Sequence, residues 1–187
     1  VNLLAKKGAE VMINSVLYSV HSSGHPSKQE LRIMLHLVNP KYFMPGAYIQ
    51  YVHFKGETNG GSILNERRFE GPLYKVIPLL DNFIRDGIVT NRPISISVLS
   101  EKQVTNYPFK ALHELMMNAC MHRDYQSNMP TRLYQYDRHI EIMNPGGLYG
   151  QARPENFPHV NDYRNNVVAE IMRTFRHVNM FNHGITE

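Results

Sequence analysis

Apolar residues recur at helical spacing over residues 9–20 and 28–37, with Gly24, Pro26 and Ser27 between them as a turn and helix start. Asn39-Pro40 closes the second of these segments. Residues 47–54, AYIQYVHF, alternate and are rich in aromatic and β-branched side chains, which predicts a strand. The turn-rich stretch 56–61 follows, then a second strand over 62–69, polar on one side. From Gly71-Pro72 the spacing predicts a helix to about Asp86, with Leu73, Val76, Ile77, Leu80 and Ile84 on one face. Residues 93–99 alternate as a third strand.

Pro108 suits the first turn of another helix, running to about His122. Residues 131–136 and 139–143 read as two short strands joined tightly at Asp137-Arg138, a hairpin. Residues 146–160, with Pro154 and Pro158, lack periodicity and read as a loop. Residues 165–175 return to helix, with Val167, Val168, Ile171 and Met172 inward. Helices interleaved with antiparallel hairpins predict an α+β layered architecture.

The 187 residues are 42% hydrophobic, enough for one domain or two small ones with a core. The single cysteine, Cys120, excludes an internal disulfide, and ten methionines fit a reducing, cytoplasmic setting. No apolar run approaches the roughly 20 residues needed to cross a bilayer. The net charge of +4 is scattered, so basicity alone points to a solvated surface rather than to a nucleic-acid footprint. The lack of an initial methionine and the end at Ile185-Thr186-Glu187 suggest a piece of a longer protein.

The chemistry concentrates in residues 107–125, YPFKALHELMMNACMHRDY, and in 140–148, IEIMNPGGL. Glu114 and Asn118, four positions apart, share a helix face that His122 continues, while Leu112, Leu115, Met116 and Ala119 occupy the other side. A carboxylate one turn from a carboxamide can polarise a water and hold a hydrated Mg²⁺, or can simply form a solvated polar face. In Asn144-Pro145-Gly146-Gly147, consecutive glycines after a strand admit a close ligand, and Asn144 can meet a purine edge; the same residues also make a tight turn. Three other patterns lead elsewhere. His122-Arg123-Asp124 lacks the companions of a kinase loop, and Arg123 and Asp124 read better as anchors of the helix end. His113, Cys120 and His122 lack zinc-ligand spacing, and Cys120 reads as a small buried hydrophobe. Tyr42, Phe43, Tyr48, Tyr51 and Phe54 read as core packing rather than a base-stacking platform.

The segments ALHELMMNACMHRDY, IEIMNPGG, RNNVVAEIMR and the terminal HGI resemble a known bacterial module, and YFMPGAYIQYVHFKG and ILNERRFEGPL upstream resemble the segment that links it to the module before it. It is the ATPase-like module that follows a Schlafen/AlbA-type DNA-binding domain in transcriptional regulators, also labelled divergent AAA or RecG-like ATP-dependent DNA helicases. The resemblance covers most of the chain. It implies a layered α/β sandwich similar to the GHKL ATPase fold of gyrase, Hsp90 and histidine kinases over residues 93–187, truncated at its end. Residues 1–92 would be a small α/β segment linking to an upstream DNA-binding domain.

By the same resemblance Glu114 orients an attacking water and Asn118 ligates Mg²⁺ through water. Asn144, Gly146 and Gly147 form the purine-side turn, and His122 and Arg153 complete the nucleotide contacts. The implied cofactors are ATP and Mg²⁺. The implied partners are nucleotide, DNA through the upstream domain, and a second copy in a homodimer, with no membrane. The chain departs from the GHKL pattern where Asn144 replaces Asp and Leu148 replaces the last glycine. Residues 149–160 contain only Gly150, so the glycine-rich phosphate lid is missing, although Arg153 and His159 could face an anion. Gly184 matches the start of a terminal glycine motif. These departures favour weak nucleotide binding, with at most weak ATPase activity. They leave open a regulatory or dimerisation module that kept the fold and lost the site, and direct DNA binding by this chain.

Overall fold

The computed structural model describes residues 40–42, 44–97, 100–156 and 162–174; the helices expected at 9–20 and 28–37 lie outside them. A short 3-10 turn, Pro40–Tyr42, leads into strand β1 (Tyr48–Phe54), which turns back into β2 (Ile63–Glu70). The two pair antiparallel from Tyr48 opposite Glu70. Helix α1 (Leu73–Phe83) buries Leu73, Val76, Ile77 and Leu80, and carries Pro78 on its exposed side. It widens into a π turn, Ile84–Ile88, closed by Val89 N–H donating to Ile84 O at 2.8 Å. That wider turn lets Ile84 and Ile88 both enter the core.

Strand β3 (Asn91–Ser97) pairs with β4 (Ser100–Thr105) in a separate two-stranded hairpin. The polar run SEKQVT carries no alternation, so β4 was not among the expected elements; its cross-strand pairing to β3 creates it. Helix α2 (Phe109–His122) starts after Pro108, and β5 (Thr131–Gln135) and β6 (Ile140–Met143) form the expected hairpin. Its turn is closed by Tyr136 N–H to His139 O at 2.9 Å. Residues 146–156 are irregular, as expected. Helix α3 (Asn166–Thr174) buries Val168, Ala169 and Met172; the side chains of Val167 and Ile171, expected inward, lie outside the description.

The main sheet has the order β2-β1-β5-β6, with β1 and β5 parallel and Tyr51 beside Leu133. Strands from both sides of position 92 therefore share one sheet. One face, through Ile49, Tyr51, Phe69 and Leu133, packs on Leu80, Ile84, Met116, Met117 and Met172 from the helices. The opposite face holds a smaller cluster of Val52, Phe54 and Tyr136. The fold is thus the α+β layered arrangement that the hydrophobic pattern predicted. Met116 and Met117 are fully buried. Truncating either would cost about 2–5 kcal/mol, more than a single hydrogen bond contributes, so packing sets the position of α2. Leu115, expected on the inner side, is instead 47% exposed. No helix among the described residues is long and apolar enough to cross a membrane.

Candidate functional site

The inward methionines of α2 leave Glu114, Asn118 and His122 along a half-buried line beside the core face. Among the described residues, neither the Glu114 nor the Asn118 side chain has a hydrogen-bond partner. A carboxylate and a carboxamide one turn apart, both unspent, suit a hydrated Mg²⁺, which takes oxygen ligands and keeps most of its waters. No group of three or more His, Cys, Asp or Glu side chains among the described residues is arranged to hold a metal. Cys120 is fully buried and its thiol is pushed up to about 12, as expected of an inert core residue.

His122 ends α2. Its ring stacks on Tyr163, with centroids 5.4 Å apart and planes 21° from parallel. Burial holds its pKa below the ordinary 6.5, and the nearby Arg164 charge pushes in the same direction, so it stands as a neutral imidazole near pH 7. Asn165 follows these two residues and donates Nδ2 to Met121 O at 2.9 Å and to Arg123 O at 2.7 Å. Those carbonyls at the helix end have no partner of their own, and Asn165 supplies one.

Asn144 sits at the end of β6 against the same helix. Its Nδ2 donates to Ala119 O at 2.9 Å, and its Oδ1 accepts from Thr131 Oγ1 at 2.9 Å. The carboxamide thereby fastens β6 to both α2 and β5. An aspartate could not donate to Ala119 O, which gives a physical reason for asparagine here. The turn is hooked to the helix end a second time, by Asp124 N–H donating to Pro145 O at 2.9 Å. Gly146 has φ +101°, and a Cβ there would fall 3.1 Å from Asp124 Cβ; Gly147 stands in open space.

Arg153 goes elsewhere. Its Nη1 donates to Gly150 O at 2.8 Å and Ala152 O at 2.9 Å, closing its own loop. The cation that reaches the glycine turn is Arg164, whose Nη2 donates to Gly147 O at 3.1 Å while its guanidinium lies 4.8 Å over the Tyr149 ring. Tyr163, Arg164 and Asn165 are not among the expected site residues, although Arg164 and Asn165 open the segment RNNVVAEIMR. Asn165, expected as the first residue of the last helix, lies just before it, and periodicity gives no role to a residue at a helix edge. His159 and Gly184 lie outside the described residues.

Arg123, 2% exposed, anchors the helix end as expected. Its Nη2 donates to Gly46 O (2.6 Å), Ser127 O (3.1 Å) and Met129 O (2.5 Å). Gly46 has to be glycine, because a Cβ would lie 2.5 Å from Ser127 O and 2.6 Å from Arg123 Nη2. Beside Arg123 is a mainly apolar cavity of about 20 Å³ lined by Tyr48, Cys120, Tyr125 and Thr131 among others; Glu114 and Asn118 are not in its wall. In the aromatic set, Tyr51 and Phe54 are buried as expected, on opposite faces of the sheet.

The fold is similar to that of the DIP2311 protein of Corynebacterium diphtheriae, with a TM-score of 0.60 and 21% identity over 73% of this chain and 28% of that one. A stretch of 56 residues is 41% identical to ribonuclease J 1 of Streptococcus pyogenes, covering 28% of this chain and 10% of that enzyme. Ribonuclease J2 of Bacillus subtilis matches at 45% over 58 residues, 29% of this chain and 10% of that protein. The chain thus spans about a tenth of these curated relatives. Residues 129–187 match the family model described as "Putative ATP-dependent DNA helicase recG C-terminal", a span that holds the β5–β6 hairpin, the Asn144 turn and α3 but begins after Glu114 and Asn118.

Proposed function

We propose that α2 and the Asn144 turn form an ATP-binding site in a GHKL-like module of a helicase-related or DNA-binding regulatory protein. The observation that carries this is the pair Glu114 and Asn118, one turn apart, half-buried and unspent among the described residues. The family match over the adjoining residues 129–187 supports it. In this reading Asn118 holds Mg²⁺ through water, and the ion neutralises phosphate charge. Glu114 orients a water, and His122 lines the site as a neutral donor or acceptor. Asn144 contributes mainly by holding β6 to α2, with one amide hydrogen and one lone pair left for a purine edge. DNA contact belongs to other parts of such a protein, and the ribonuclease J likeness spans too little of either chain to bring an activity here.

A ligand that binds only the folded state raises its stability by about 2.7 kcal/mol at a hundredfold excess over Kd. Millimolar Mg-ATP should therefore raise the melting temperature of the chain by several degrees, and Glu114→Ala and Asn118→Ala should change that response. An unmoved melting temperature in all three proteins defeats the proposal. One observation favours a second reading, a regulatory or dimerisation module that kept the fold and lost the site: the cavity beside Arg123 is not walled by Glu114 or Asn118, and Asn144 is committed to the scaffold. That reading predicts the flat response.

A further inference from the structure

The corner where the Asn144 turn meets the start of α3 holds a cation, Arg164, with no ion pair among the described residues. Of the three guanidinium nitrogens of Arg164, only Nη2 has a protein acceptor, Gly147 O, and Nε is buried without one. Two carboxylates stand near this corner, and each accepts a backbone N–H rather than pairing with Arg164. Asp124 Oδ1 accepts from Gln126 N–H at 3.0 Å, and Asp162 Oδ2 accepts from Gln151 N–H at 2.7 Å.

The same turn has backbone donors to spare. The N–H groups of Gly146, Gly147 and Leu148 meet no acceptor among the described residues. Gly147 has nothing within 4 Å of where a Cβ would be, so this backbone is open to a ligand. A guanidinium beside a run of free N–H groups is a donor set that an oxyanion fills, because it offers full charge and several directed hydrogen bonds at once. The contact with the Tyr149 ring face consumes none of the guanidinium donors.

We infer that Arg164, with the N–H groups of Gly146 and Gly147, is the phosphate-binding corner of the nucleotide site, serving where residues 149–160 lack a glycine-rich lid; the two glycines then meet phosphate rather than the purine that the family resemblance sets against them. The inference rests on the nucleotide reading above and adds to it the residue and the ligand group it recognises. Arg153, turned into its own loop, takes no part.

Calorimetric titration of the whole chain with Mg-ATP, adenosine and inorganic tripolyphosphate tests this, using wild type, Arg164→Met, Arg164→Lys and Asn118→Ala. Loss of a charge-assisted hydrogen bond weakens binding by roughly tenfold to a hundredfold. Arg164→Met should lose that much affinity for Mg-ATP and tripolyphosphate and keep its affinity for adenosine, while Arg164→Lys, which keeps the charge and the fold, should fall between. If Arg164→Met binds Mg-ATP as wild type does while Asn118→Ala does not, the corner is refuted and the nucleotide reading stands. If wild type binds neither ATP nor adenosine, the nucleotide reading fails and this inference falls with it.

Discussion

Glu114 and Asn118 on α2 keep their polar atoms free of partners among the described residues, whereas Asn144, packed against the same helix, spends both sides of its carboxamide on Ala119 and Thr131. An asparagine inside a helix costs about 0.7 kcal/mol relative to alanine, and at position 118 no hydrogen bond repays it. Folding therefore does not explain Asn118, and its carboxamide is left available to a ligand. At position 144 folding explains the asparagine completely, down to the choice of amide over carboxylate. Of two residues that looked alike in sequence, one is available to chemistry and the other belongs first to the scaffold.

The strongest way to break this contrast is Asn144→Asp, which sets a carboxylate oxygen against Ala119 O where a donor stood. A cost of about 3 kcal/mol is expected from the lost bond and the unsatisfied acceptor, or roughly 6–12 °C in melting temperature for a chain of this size. The introduced carboxyl should carry a raised pKa, because its protonated form can donate to Ala119 O. The defect should therefore be full at pH 7 and shrink as the pH falls through that raised value. Asn118→Ala should cost no stability and should add up to about 0.7 kcal/mol, the helix preference for alanine over asparagine. Equal losses in the two variants, measured by denaturant titration, would erase the distinction.

A smaller effect sharpens it within the turn itself. Gly146→Ala forces a side chain into positive φ and against Asp124, at about 1–3 kcal/mol, while Gly147→Ala should be tolerated within about 0.5 kcal/mol. Matching melting temperatures for the two alanine variants would show that the turn is not held as described.

The smallest effect comes from His122. Its folded pKa is lowered, so below the ordinary 6.5 the unfolded chain binds more protons than the folded one. Stability should fall as the pH drops from about 6.5 towards the lowered value, and His122→Asn should flatten that part of the pH profile. An unchanged slope in the variant would mean that another group carries it.

Much of the frame was legible because periodicity reports burial. The alternation of β1, the apolar stripe of α1 and the helix over Phe109–His122 all appeared where expected. The polar strand β4 did not, since only its partner β3 makes it a strand. The spacing sets Leu115 on the side away from Glu114 and Asn118, yet it lies about 100° round the helix from Met116, at the exposed edge of the apolar stripe. Arg153 looked like the anion-facing residue because it lies in the loop, yet the loop closes on its own carbonyls.

What the sequence by itself determined is local: which segments are helix or strand, and that Glu114, Asn118 and His122 share one face, since a four-residue spacing fixes this on any helix. The tertiary structure alone decided which polar groups are already consumed. Asn144 bonds to atoms 13 and 25 residues away, and Arg164 meets a glycine 17 residues earlier. Contacts across such distances leave no period in the chain, so only the folded arrangement shows that Asn144 is a fastener and that Arg164 stands at the open glycine turn.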